Sequence, residues 1–220
     1  AASSDYPLRD VYKRQLVPLF VVLLVSGETG HLDVHVSAGA MILAVVVFRL
    51  LWGVVGSPTA RFSQFLRGPG AVLAYLRHGR GPDTWAGLGH NPLGGWSVTL
   101  LLTLLLAQAS SGLFTSDDVA FDGPFLWMVG SATAKALASL HRVGGWVLLG
   151  LVALHVSAIL YYRFAKREDL VTPMIGGDAD LPPPAADAAR GLRFASGARA
   201  AGTLVVALVL VYGALAIWGR

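Results

Sequence analysis

The stretch HRVGGWVLLGLVALHV, residues 141–156, places two histidines 14 residues apart in an otherwise apolar, helix-like run. At 1.5 Å per residue, His141 and His155 are separated by roughly 21 Å along a helix axis. Fourteen steps of 100° leave them only about 40° apart around it, so they share one stripe with Gly144, Gly145, Leu148 and Val152. No single metal can reach both. Two sites stacked along one helix are expected, one near each end.

The chain around this stretch is 220 residues long, 55% hydrophobic and 14% charged, with a mean hydropathy of +0.61. That is far more apolar than an ordinary soluble domain, so a membrane protein is expected. A hydrocarbon core about 30 Å thick needs about 20 apolar helical residues. Windows that qualify are Val34 to Val55, Trp96 to Phe114, Leu137 to Tyr162 and Gly202 to Trp218. A further segment, Leu16 to Val25, is too short to span as written and reads as a truncated first helix. Immediately before it, DVYKRQ, Asp10 to Gln15, resembles the translated end of a transposase sequencing adapter, so residues 1–15 read as non-native.

The expected fold is therefore all-α: a transmembrane four-helix bundle over residues 16–175, a Pro/Ala-rich cytoplasmic linker over 176–198, and one extra C-terminal transmembrane helix over 199–220. The linker contains GGDADLPPPAADAARG, Gly176 to Gly191, which has no apolar periodicity. The last helix is almost devoid of polar residues and reads as a lipid-facing anchor. AVLAYLRH, Ala71 to His78, reads as an amphipathic helix in the interface.

Arg61, Arg67, Arg77 and Arg80 lie between the second and third spans, and Arg163, Lys166 and Arg167 follow the fourth. Glu28, Asp33, Asp117, Asp118 and Asp122 lie in the opposite loops. The positive-inside rule makes the basic loops and the N-terminus cytoplasmic. The pI near 9.7 thus reflects topology, and no nucleic-acid partner is expected, since no basic stripe is interleaved with stacking aromatics.

The chain has no cysteine, which excludes disulfides, thiolate-held iron–sulfur clusters and covalently attached haem within it. GLGHNPLGG, Gly87 to Gly95, has neither the dinucleotide nor the P-loop spacing and reads as a turn before the third span. His31 and His35 form an H-x-x-x-H pair, but six histidines divided between two membrane faces cannot supply a di-iron centre. His31 reads as interfacial, and His78 and His90 as loop residues.

His35, His141 and His155 remain, and an ionisable group inside a bilayer is costly without a partner. His35 begins the second span at the same face as His141, so these two helices can present two imidazoles to one iron. Such a bis-histidine haem is six-coordinate and suits electron transfer, because no position is open for substrate. Arg142 and Arg49 are candidates for haem propionates at the outer and inner levels, with ordinary snorkelling as the alternative reading.

The segments LDVHVSAGAMILAVVVFRLLWGVVGSPTARFSQFLRGPGAVLAYLRHG, GLGHNPLGGWS and LHRVGGWVLLGLVALHVSAILYYRFAKREDLVTPMIGG resemble the bacterial cytochrome b561 / nickel-iron hydrogenase cytochrome b subunit family, over residues 16–177. The resemblance implies a four-helix bundle with two b-type haems, His35 being the helix-2 ligand and His141 and His155 the outer and inner ligands of helix 4. One departure stands out: where the family has a helix-1 histidine followed by tryptophan, this chain has Tyr12, Lys13 and Arg14, so His155 has no visible partner for the inner haem.

The function this implies is electron transfer across the bacterial inner membrane, between a quinone or cytoplasmic-side carrier and a periplasmic c-type cytochrome or hydrogenase-like oxidoreductase. The chain would be a subunit of a respiratory oxidoreductase rather than a stand-alone enzyme. The alternatives are an anchor or scaffold subunit without haem, or a transporter using histidine relays. A relay needs acidic partners in the spans, yet from Val34 to Tyr162 every acidic residue falls in a loop.

Overall fold

The computed structural model describes residues 7–78, 91–119, 121–167 and 195–218; the side chains it describes begin at Gln15 and leave out His78. Its long helices are α1 (Pro7–Glu28), α2 (Leu32–Val55), α5 (Pro92–Gly112), α6 (Ser131–Phe164) and α7 (Gly197–Trp218). Two short helices, α3 (Phe62–Phe65) and α4 (Pro69–His78), lie between α2 and α5. Among the described residues, α2, α5, α6 and α7 are long and apolar enough to cross a membrane.

Local chemistry accounts for the helix ends. Gly30, at φ +74°, makes the turn between α1 and α2, a conformation that costs a residue with a Cβ. Asn91 caps α5 by accepting a hydrogen bond from the Gly94 amide at 2.6 Å, with Pro92 in the first turn, where its missing N–H is no loss. The expected turn before the third span is thus a helix cap, although Gly87 to His90 lie outside the described residues.

The centre of the molecule is α2. Val46 is 0% exposed, Ile42 1% and Ala44 2%, a burial that runs around the helix rather than along one stripe, as a helix packed on several sides requires. Helix α1 lies along one side of it, α5 along another and α7 along a third, while α6 packs on α5.

Helix α7 is not a free anchor. Ala200, Thr203, Ala207 and Val211 form a buried stripe, Ala200 and Ala207 meeting Phe48 and Trp52 of α2. Small residues on that stripe let two helix backbones approach closely. Its N-terminal end is tied by the Ala195 amide to Ser57 Oγ at 3.1 Å, and its C-terminal end by Trp127 Nε1 to the Trp218 carbonyl at 2.9 Å. The lipid-facing reading therefore holds only for the opposite side, where Val205 and Val209 are exposed.

Two other readings are refined, and a third is not reached. The first helix is longer than its ten-residue apolar segment, because the helical backbone continues back to Pro7. The segment Ala71 to His78 is helical, but it is pinned: Tyr75 Oη meets Tyr162 Oη at 3.0 Å and accepts from Asn91 Nδ2 at 3.1 Å. The linker Gly176 to Gly191 lies outside the described residues.

Candidate functional site

His35 occupies the first turn of α2 and faces α1. Its Nδ1 lies 3.0 Å from the Leu23 carbonyl and 3.4 Å from Ser26 Oγ. A carbonyl only accepts, so Nδ1 carries the proton and Nε2 keeps its lone pair. The Ser26 hydroxyl donates to the Val22 carbonyl at 2.6 Å, which leaves its oxygen to accept from the imidazole.

His141 is held the same way by α5. Its Nδ1 donates to the Gln108 carbonyl at 2.9 Å and lies 3.4 Å from Ser111 Oγ. Here too the tautomer follows from the acceptor, and Nε2 is the nitrogen left for a ligand bond.

The two cradles share one register: a carbonyl at position i, a serine at i+3 and a glycine at i+4. On α1 these are Leu23, Ser26 and Gly27; on α5 they are Gln108, Ser111 and Gly112. The glycines make room for the rings. A Cβ on Gly112 would sit 2.8 Å from His141 Cε1, and one on Gly27 would sit 3.2 Å from His35 Cε1.

Across the gap between α2 and α6, the ring centres of His35 and His141 are 6.0 Å apart, with their planes at 83°. One metal bound by both Nε2 atoms, at about 2 Å each, would require about this separation. Among the described residues no group of three or more His, Asp or Glu can hold a bare ion. Two imidazoles with prearranged tautomers fit an iron whose other four ligands come from a macrocycle, which is the donor count of a bis-histidine haem.

His155 lies on the same side of α6 as His141, and its Nδ1 is 3.5 Å from Ser97 Oγ on α5. The stripe between them is the less exposed side of α6, with Leu148 at 2%. The expected helix-1 position, Tyr12 to Arg14, has side chains outside the described residues. His31 is at the α1–α2 turn, bonded to Thr29 Oγ1 at 2.9 Å and remote in role from the pair. His90 and the His78 side chain also lie outside the described residues.

The glycines of the stripe have Gln108 as their neighbour. Gly144 and Gly145 receive the Gln108 side chain: a Cβ on Gly144 would collide with Gln108 Oε1. At this point they let the Gln108 side chain pack between α5 and α6. Arg49 is buried beside aromatic rings, its guanidinium carbon 5.1 Å from the Phe62 centroid and 5.7 Å from that of Phe65, which does not match simple snorkelling. Arg142 is exposed.

Sequence reasoning missed Ser26, Gln108 and Ser111. The available signal was a lone amide in the apolar run LLLAQASSG and the recurrence of Ser-Gly at the ends of α1 and α5.

A family model described as prokaryotic cytochrome b561 matches residues 10–177. The chain is also 24% identical over 164 residues to a protein described as a probable Ni/Fe-hydrogenase B-type cytochrome subunit from Rhizobium leguminosarum bv. viciae. That alignment covers 66% of this chain and 66% of the relative, so the chain spans just under two thirds of that protein's length. No solved structure matches the chain.

Proposed function

The chain belongs to the prokaryotic cytochrome b561 family of membrane-integral b-type electron-transfer cytochromes, and on that premise we propose that it carries electrons across the bacterial inner membrane through bis-histidine haem b. The observation that carries this reading is the 6.0 Å approach of His35 and His141, each with Nδ1 on a backbone carbonyl.

His35 and His141 would hold the outer haem. A haem held by two imidazoles supplies a reversible one-electron iron couple with no open coordination position. The chain's part is to orient and insulate. The Leu23 and Gln108 carbonyls fix the two Nδ1 protons, raise the electron density on Nε2, and leave the imidazoles little rotation to relax when the charge at their centre changes. His155 would hold the inner haem, with the helix-1 ligand of the family absent from Tyr12 to Arg14. Residues 1–15 remain our candidate for a non-native segment ahead of a bundle over 16–175, with the family match from residue 10 as the observation against its last six residues.

The basic residues at the α2–α5 connection and after α6 favour a cytoplasmic inner face and N-terminus. Helix α7 would be an additional transmembrane helix beyond the four-helix bundle. Electrons would pass between a quinone or cytoplasmic-side carrier and a periplasmic partner, either a small c-type cytochrome or a hydrogenase-like oxidoreductase, the latter favoured by the description of the Rhizobium relative.

The test is a pyridine haemochrome assay with redox difference spectra on detergent-purified protein, comparing wild type with His141→Ala. Wild type is expected to contain b haem, with one component lost in the variant. Protein without haem would refute the proposal and return the scaffold and transport readings.

A further inference from the structure

We infer that Gln108 is the positioning residue of the outer iron centre, fixing the rotation of the His141 imidazole from both ends; the inference rests on the haem reading above. Gln108 makes two hydrogen bonds to the same residue in opposite directions. Its main-chain oxygen accepts from His141 Nδ1 at 2.9 Å, and its side-chain Nε2 donates to the His141 main-chain oxygen at 2.7 Å. The first bond orients the ring. The second ties the backbone that carries the ring to the helix that carries the acceptor, so α5 and α6 cannot slide without breaking both.

The matching cradle on α1 lacks this second bond. Leu23 presents a carbonyl to His35 at 3.0 Å, but its side chain has no polar atom to reach back. His141 is therefore the more tightly referenced of the two ligands. Helix α6 is shaped for the clamp: Gly144 and Gly145 line the Gln108 side chain, and a Cβ at Gly144 would displace its amide oxygen. An amide in an apolar span needs hydrogen-bond partners, and this one finds a partner on the ligand residue itself.

The chemical consequence concerns the iron couple. A well-aligned Nδ1–H···O=C bond makes the imidazole a stronger electron donor, which favours ferric over ferrous iron. Loosening the clamp weakens that alignment and raises the potential of the outer centre.

The test uses the full-length haem-loaded protein in detergent. Potentiometric titration and low-temperature electron paramagnetic resonance are recorded for wild type, Gln108→Leu and Gly144→Ala, with the outer component defined as the one lost in His141→Ala. Both variants are expected to raise the midpoint of that component and move its ferric resonance, leaving any other haem component in place. A tenfold change in ferrous-over-ferric preference reads as about 59 mV for one electron. Gly144→Ala improves helix propensity and touches only the far end of a flexible side chain, so it carries the test where Gln108→Leu does not accumulate. A wild-type midpoint and resonance in both variants would overturn the positioning role. Retention of every haem component in His141→Ala would instead overturn the outer-haem reading, and this inference with it.

Discussion

The imidazoles of His35 on α2 and His141 on α6 stand 6.0 Å apart, centre to centre, although 105 positions separate them in the chain. Each ring is oriented by a neighbouring helix, His35 by α1 and His141 by α5. The pair is thus an outcome of four helices together, and its behaviour on mutation should show that dependence.

His35→Ala and His141→Ala are expected to remove the same haem component, and the double variant to remove no more than either single one, because on the proposed reading both rings would serve one centre. Haem content per chain and the redox difference spectrum of the three variants check this. His31→Ala, outside the pair, is expected to leave haem content at the wild-type level.

Gly112→Ala places a methyl 2.8 Å from His141 Cε1, closer than ordinary packing permits. Overpacking of this kind costs about 1–3 kcal/mol, and here it presses on the His141 ring, the proposed ligand. A lowered melting temperature in detergent, together with a shifted or weakened outer haem component, is the expected result. An unchanged spectrum would show that the ring does not lie against Gly112.

Asn91→Ala removes the N-cap of α5 and the donor to Tyr75 Oη. Loss of such a cap costs about 0.5–2 kcal/mol. Thermal unfolding should register the loss, while the outer haem spectrum stays as in wild type, because Asn91 lies at the other end of α5 from Gln108.

Ala207→Leu tests the docking of α7. Ala207 is 0% exposed against α2, whereas Val209 is 64% exposed. The leucine at 207 is expected to cost about 1–3 kcal/mol, and Val209→Leu to fall within about 0.5 kcal/mol of wild type. Equal melting temperatures for the two variants would show that α7 does not pack on α2.

The membrane class, the four apolar spans and the common stripe of His141 and His155 are all legible in the amino-acid sequence. Span length and hydropathy follow from the thickness of a bilayer, and helical phase follows from 3.6 residues per turn. Less legible was the fate of α7, since an apolar helix carries the same composition whether it faces lipid or another helix. Its buried stripe of Ala200, Thr203, Ala207 and Val211 appears only once α2 is beside it. Likewise Gly144 and Gly145 announce a close approach, but only the fold shows that Gln108 is what approaches.

Periodicity and the scarcity of polar residues in the spans made His35, His141 and His155 the candidates, because an unpartnered imidazole in hydrocarbon is costly. They were not enough to orient the rings. Which nitrogen keeps its proton depends on the Leu23 and Gln108 carbonyls, and every helical residue has a carbonyl, so no side-chain pattern marks those two. Backbone acceptors and inter-helix spacing are properties of how the helices come together, and only the assembled bundle supplies them.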